Sequence, residues 1–189
     1  MVTKQVSFYE EMTNVPFIIA GPGIHPRQKP VEDLLTQPTI DLLPTLCELA
    51  GIPVPSSKPG ISLAPFLKGE KQKRQHLYAA SEWHSEYEVT VSPGRMIRSP
   101  RYKYTHYLEG NGEELYDMLK DKGERRNLAH DPKYSKILAE HRALLDDYIR
   151  RTQDDYRSLK VEADKRWRSH VPGYPNHEGP CARDIINRK

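Results

Sequence analysis

The longest unbroken apolar run near the start of the chain is Val15-Pro16-Phe17-Ile18-Ile19-Ala20, closed by Gly21-Pro22-Gly23. A short run of this kind, ended by a turn, predicts a strand buried on both faces of a mostly parallel sheet. Such a strand requires neighbours on either side and helices above and below. Only a handful of residues precede it, so the chain is expected to be the closing part of a larger α/β fold. The residues that follow, Ile24 to Thr36, are rich in proline and charge and read as a surface connection.

Thr39 to Gly51 reads as a helix, with Asp41 as N-cap, Pro44 in the first turn and Gly51 just past the end. Leu42, Leu46 and Leu49 line one face, widened by Leu43 and Cys47, and that face is expected to pack on the sheet. Ser62 to Leu67 predicts one short helix. Gly69 to Gln75 is charged, polar and without period, and makes the clearest boundary in the sequence.

Beyond it the pattern changes to strands. Leu77–Trp83 and Arg95–Arg98 are two candidates. Tyr102 to Leu108 alternates, with Tyr102, Tyr104, His106 and Leu108 on one face, and Asn111-Gly112 signals a hairpin before Glu114–Met118. Asp131-Pro132 opens the longest helix, as N-cap and first helical residue. Its apolar stripe is Tyr134, Ile137, Leu138, His141, Leu144, Leu145, Tyr148 and Ile149, wide enough to cover one face of a small antiparallel sheet. His141 on that stripe is expected to be a core-edge residue. The expected division is residues 1–70 as part of an α/β domain, 75–155 as a sheet-and-helix subdomain, and 156–189 as a basic tail containing Pro and Gly.

Composition narrows the functional classes. The 189 residues carry 29 Lys+Arg against 26 Asp+Glu, a net +3. That balance is too small and too mixed to mark a nucleic-acid-binding protein, and the run Lys71-Gln72-Lys73-Arg74 has no interleaved aromatics. No apolar stretch reaches the roughly 18 residues of a membrane span, and the N-terminus lacks the layout of a signal peptide. For a periplasmic or secreted parent, the export signal is expected upstream of Met1. Cys47, in Leu-Cys-Glu-Leu, reads as a small buried hydrophobe; Cys181 could be free or paired. His170 and His177 lack a third metal ligand at a convincing spacing.

Three stretches, taken together, resemble the sulfatase family within the alkaline-phosphatase-like superfamily. They are Tyr9-Glu10-Glu11 with Val15 to Ile24; Asp41-Leu42-Leu43-Pro44-Thr45-Leu46 through Ala50-Gly51-Ile52-Pro53; and Arg101-Tyr102-Lys103-Tyr104 with Glu114-Leu115-Tyr116-Asp117, Glu124, Asn127 and Leu128. The resemblance covers most of residues 4 to 152. It implies an α/β fold: the C-terminal edge of the catalytic domain, then a small antiparallel sheet packed on a long helix.

It also implies a chemistry. Sulfatases hydrolyse sulfate esters, often of carbohydrates, with a formylglycine nucleophile made in a Cys-x-Pro-x-Arg type motif and a divalent cation, usually calcium, held by oxygen ligands. Cys47 is followed by Glu-Leu-Ala and Cys181 by Ala-Arg-Asp-Ile, so neither fits that motif. The nucleophile and metal ligands are expected in a preceding catalytic segment, and the chain alone is expected to be inactive. Lys4 is the candidate sulfate contact carried by the resemblance, and His84, Tyr87 and His106 are weaker substrate candidates. A non-catalytic module binding carbohydrate or a protein partner is the alternative.

Overall fold

The computed structural model describes residues 8–27, 31, 34–54, 60–74, 76–81, 93–108 and 112–158. In order these form helix α1 (Glu10–Thr13), α2 (Pro38–Leu49), α3 (Ala64–Leu67), strands β1 (Leu77–Ser81), β2 (Gly94–Arg98), β3 (Tyr102–Tyr107) and β4 (Glu113–Asp117), and helix α4 (Ser135–Thr152). The strands make one sheet in the order β1-β2-β3-β4, antiparallel throughout.

The register lines up rows of side chains, and each row belongs to one face. Tyr78, Ile97, Tyr104 and Leu115 stand opposite one another across the sheet. This is the face that α4 covers: Ile97, Tyr104 and Leu115 are buried with Leu128, Leu138 and Leu145, and Tyr134, Ile137, Leu144 and Ile149 pack around them. The expected stripe therefore does the expected work. Asp131 caps as predicted, its carboxylate accepting from Lys133 N–H, but it opens a single 3₁₀ turn, Pro132–Tyr134, before α4 begins. His141 is buried in this layer, with Nε2 3.1 Å from Ser99 Oγ and Nδ1 2.8 Å from the Ile137 carbonyl.

The helix stops at Gln153, which takes the left-handed conformation at φ 54°. The chain then turns Asp154 back onto the sheet, where it accepts from Arg95 (2.6 and 2.8 Å) and from the Tyr78 hydroxyl (2.6 Å). Tyr156, fully buried, lies under the Arg95 guanidinium, 4.4 Å from its ring centre. These contacts fix the helix end to β1 and β2. The Asn111-Gly112 hairpin signal falls partly outside the described residues; Gly112 has φ 65°, and Tyr107 N–H donates to its carbonyl at 2.7 Å.

The first part of the chain departs from expectation in two places. Val15 to Ala20 form no strand, and Val15 and Ile18 are 53% and 87% exposed. A strand of this kind exists only with partners, and no strand among the described residues lies beside it. The second departure is α2, which starts three residues before Asp41 because Pro38 supplies the fixed φ of a first helical residue. Asp41 still satisfies a free N–H at that end, but from inside the helix, accepting from Gln37 N–H at 2.7 Å.

Pro44 consequently lies in the helix interior, where it leaves the Ile40 carbonyl without its usual N–H partner. Gly60 presses against that carbonyl at φ 106°, and a Cβ there would stand 2.2 Å from the oxygen. The buried side of α2 is Asp41, Pro44 and Thr45, while Leu42, Leu43 and Leu46 are exposed. The expected packing of its leucine face on the sheet is thus not found. A polar latch orients the helix: Asp41 takes Arg74 in a two-pronged pair at 2.6 and 2.7 Å and Ile61 N–H at 3.0 Å, and Thr45 Oγ1 accepts from Leu63 N–H at 2.9 Å. The short helix expected at Ser62–Leu67 is present as α3. Cys47 is half-buried and free.

Candidate functional site

The second face of the sheet carries the unusual chemistry. Its rows include Arg98, Lys103 and Tyr116, then Met96, Thr105 and Glu114. Alternation alone makes Lys103 and Thr105 polar, outward positions, yet Lys103 is 1% exposed and Thr105 is also buried. What covers them is Phe8 to Thr13, far away in sequence, together with the turn around Glu124. Phe8 packs on Tyr107 and on the bare backbone of Gly94, where a Cβ would lie 2.8 Å from the phenyl ring.

A buried ammonium needs every proton matched to an oxygen. Lys103 Nζ donates to the Phe8 carbonyl at 2.6 Å and to Glu10 Oε1 at 2.8 Å, and it stands 2.8 Å from Glu124 Oε1. Glu124 uses its other oxygen, Oε2, to accept from Glu10 N–H at 2.6 Å, in the first turn of α1. It does this from a left-handed backbone, φ 49°, a conformation few non-glycine residues adopt. Such a backbone costs on the order of 1–3 kcal/mol and persists only where surrounding contacts hold it.

More charge gathers around this centre. Arg98 Nε lies 3.9 Å from Glu10 Oε1. Burial raises the Glu124 carboxyl above its ordinary range, against the pull of Lys103. Burial, with the nearby Glu124 charge, does the same to Glu114. Tyr9 donates to Glu114 and accepts from Tyr116, and burial pushes both phenols up. The arrangement holds a segment in place; it presents no open nucleophile.

The other polar cluster surrounds His106. Its Nδ1 meets the Tyr156 hydroxyl at 2.9 Å, and burial together with the Arg157 charge lowers its pKa. A neutral imidazole tied to a buried tyrosine is a packing element here. Nearby, Glu113 receives the Arg142 guanidinium and the Tyr104 hydroxyl. Lys4, His84 and Tyr87 lie outside the described residues, as do Cys181, His170 and His177. Of the sequence candidates for the site, His106 alone lies among the described residues.

Among the described residues, no group of three or more His, Cys, Asp or Glu side chains could hold a metal ion. The two carboxylates that do converge, Glu10 and Glu124, converge on an ammonium, so the described part does not fit a divalent cation. No helix of the described part is long and apolar enough to cross a membrane.

Comparison with known proteins adds four findings. Residues 3–151 match the family described as N-sulphoglucosamine sulphohydrolase, C-terminal. The whole chain is 76% identical over 189 residues to a Delta 4,5-hexuronate-2-O-sulfatase of Bacteroides thetaiotaomicron, of which it covers 39%. It is 35% identical over 136 residues to a choline-sulfatase of Rhizobium meliloti, matching 68% of this chain and 24% of that one. A solved structure of a 2-O GAG sulfatase superposes with a TM-score of 0.79 at 77% identity, over 98% of this chain and 40% of that one. The chain thus spans well under half the length of these relatives.

Proposed function

Because the chain belongs to the sulfatase family, through the C-terminal region that residues 3–151 match, we propose that it is the C-terminal portion of a formylglycine-dependent sulfatase that hydrolyses 2-O-sulfate esters of hexuronate-containing carbohydrates. The observation that carries this reading is 76% identity along the entire chain to a hexuronate-2-O-sulfatase. In this reading the formylglycine and the calcium ion belong to the preceding catalytic segment, which is also the partner this chain needs. Residues 1–70 then complete the catalytic domain, and residues 75–155 form the subdomain that closes it. The strand-like run at Val15–Ala20 and the leucine face of α2 gain their packing partners from that segment.

Lys4 is the catalytic residue this chain contributes. Its ammonium meets sulfuryl oxygens that gain negative charge as the S–O bond breaks, so it acts more strongly in the transition state than on bound substrate. The test uses the full-length sulfatase, with formylglycine confirmed by mass spectrometry, and the chain alone beside it. Lys4→Ala is expected to lower kcat by about 10² or more, the usual effect of losing one fixed donor, with little change in stability. Arg at that position restores activity only in part, because a planar fork places its charge differently from an ammonium. The chain alone is expected to release no sulfate, since neither cysteine stands in a modification motif. Unchanged turnover in Lys4→Ala removes the lysine from the site. Multiple-turnover hydrolysis by the isolated chain overturns the division of labour.

A further inference from the structure

We propose that Lys103 and Glu124 are positioning residues that act through Lys4: together they clamp the segment Phe8–Thr13 onto the second face of the sheet and so limit where the lysine just upstream can reach. The inference rests on the Lys4 reading above. Its structural half stands on geometry alone.

That geometry is specific to the segment's backbone. Lys103 takes the Phe8 carbonyl at 2.6 Å, and Glu124 takes the Glu10 N–H at 2.6 Å, so two main-chain groups only two residues apart are held by side chains of the subdomain. Lys103 and Glu10 close the ring at 2.8 Å, and Lys103 and Glu124 at 2.8 Å. Below this ring, Phe8 sits on Gly94, where no side chain larger than hydrogen fits beneath the phenyl group. Lys4 precedes Phe8 by four residues, which span at most about 14 Å when extended. A clamp at Phe8 therefore limits the reach of the Lys4 ammonium to that length of chain, whereas a released segment sets no such limit. A merely stabilising ion pair does not need a main-chain oxygen and a main-chain N–H from the same short segment.

Charge arithmetic shapes the experiment. Removing Lys103 alone leaves Glu10, Glu124 and Glu114 facing one another with Arg98 as the remaining cation beside them, and that variant can fail to fold. Lys103→Met combined with Glu124→Gln removes one charge of each sign and keeps the volume, so the sheet should survive. Lys103→Arg serves as the conservative control.

Two measurements follow. Hydrogen exchange on the chain itself is expected to show at least a 10-fold loss of protection at the amides of Glu10, Met12, Thr13 and Asn14 in the double variant. Amides of β2, β3 and β4 should keep theirs, and Lys103→Arg should restore part of the loss. In the full-length sulfatase, the double variant is expected to lower kcat at least 10-fold with a smaller change in KM. Adding Lys4→Ala to it should cost no more than Lys4→Ala alone, since residues acting as one unit are not additive. Unchanged protection at those amides refutes the clamp. Additive losses on adding Lys4→Ala refute action through the lysine. If Lys4→Ala alone leaves turnover intact, the Lys4 reading fails, and the exchange result decides the clamp independently.

Discussion

Replacing Asp154 by alanine should destabilise the sheet-and-helix unit by about 3 kcal/mol, because it removes the carboxylate that meets a guanidinium buried to 3% exposure. Asp154 accepts two bonds from Arg95, one from the Tyr78 hydroxyl and one from Tyr156 N–H at 3.1 Å. Breaking a buried pair on one side costs roughly 3–5 kcal/mol. The low end applies, since the Asp154 side chain keeps 15% of its exposure and Arg95 also donates to the Gly94 carbonyl. Asn in its place retains an acceptor for Tyr78 and should cost roughly 1–2 kcal/mol.

Urea unfolding followed by far-ultraviolet circular dichroism measures both variants. The pH dependence supplies a second reading. Arg95 holds the Asp154 carboxyl at about 2, below its ordinary 3.8. A depressed carboxylate contributes fully above its unfolded value and loses that contribution as pH falls through the folded one. The difference between wild type and Asp154→Ala should therefore be constant above about pH 5 and shrink between about pH 4 and pH 2. A loss below about 1 kcal/mol at pH 7, or a difference indifferent to acid, would show that Arg95 finds equal compensation elsewhere.

Glu114→Gln should stabilise the fold at neutral pH, by at most about 1 kcal/mol after solvent screening is allowed for, because burial and the Glu124 charge disfavour the ionised form. With a raised folded pKa the wild type recovers this stability as pH falls through that value, so the two urea curves should converge in mild acid. Gly60→Ala should cost about 1–3 kcal/mol through its φ of 106° and the collision with the Ile40 carbonyl. Its mark is faster exchange at the Ile61 and Leu63 amides, and normal exchange there would show that the loop yields.

Much of the second half was readable from periodicity. Tyr102 to Leu108 alternates because one face meets α4, and the α4 stripe repeats at helical steps because it meets that same face; each pattern is local, so each is visible in a short window. Lys103 stands in the sequence only as part of a family motif, and its burial is illegible there for the opposite reason. A lysine at an outward position of a strand reads as solvated, and nothing nearby in sequence announces that Phe8 will come to lie over it. Glu124 likewise stands out only within that motif, since its left-handed backbone leaves no compositional trace of the kind glycine leaves. The α2 leucines and the Val15–Ala20 run failed differently. Their apolar pattern is genuine, but the surfaces that would bury it are not among the described residues, so hydrophobicity and exposure disagree. For the site itself, the residues carried by resemblance lie mostly outside the described part, and His106 is engaged with Tyr156.

The bond between Glu10 N–H and Glu124 joins residues 114 positions apart. Closing a chain loop of that length costs about 4 kcal/mol in entropy, against a single hydrogen bond made directly. The four-stranded meander, whose neighbours in space are neighbours in sequence, faces no such toll and can assemble by short steps. On a ribosome, the stretch at Phe8–Thr13 therefore emerges more than a hundred residues ahead of Glu124 and must wait for the sheet and the turn that hold it. Between Phe8 and Glu124, order of synthesis and order of completion run in opposite directions: the segment made before the sheet is placed only after it.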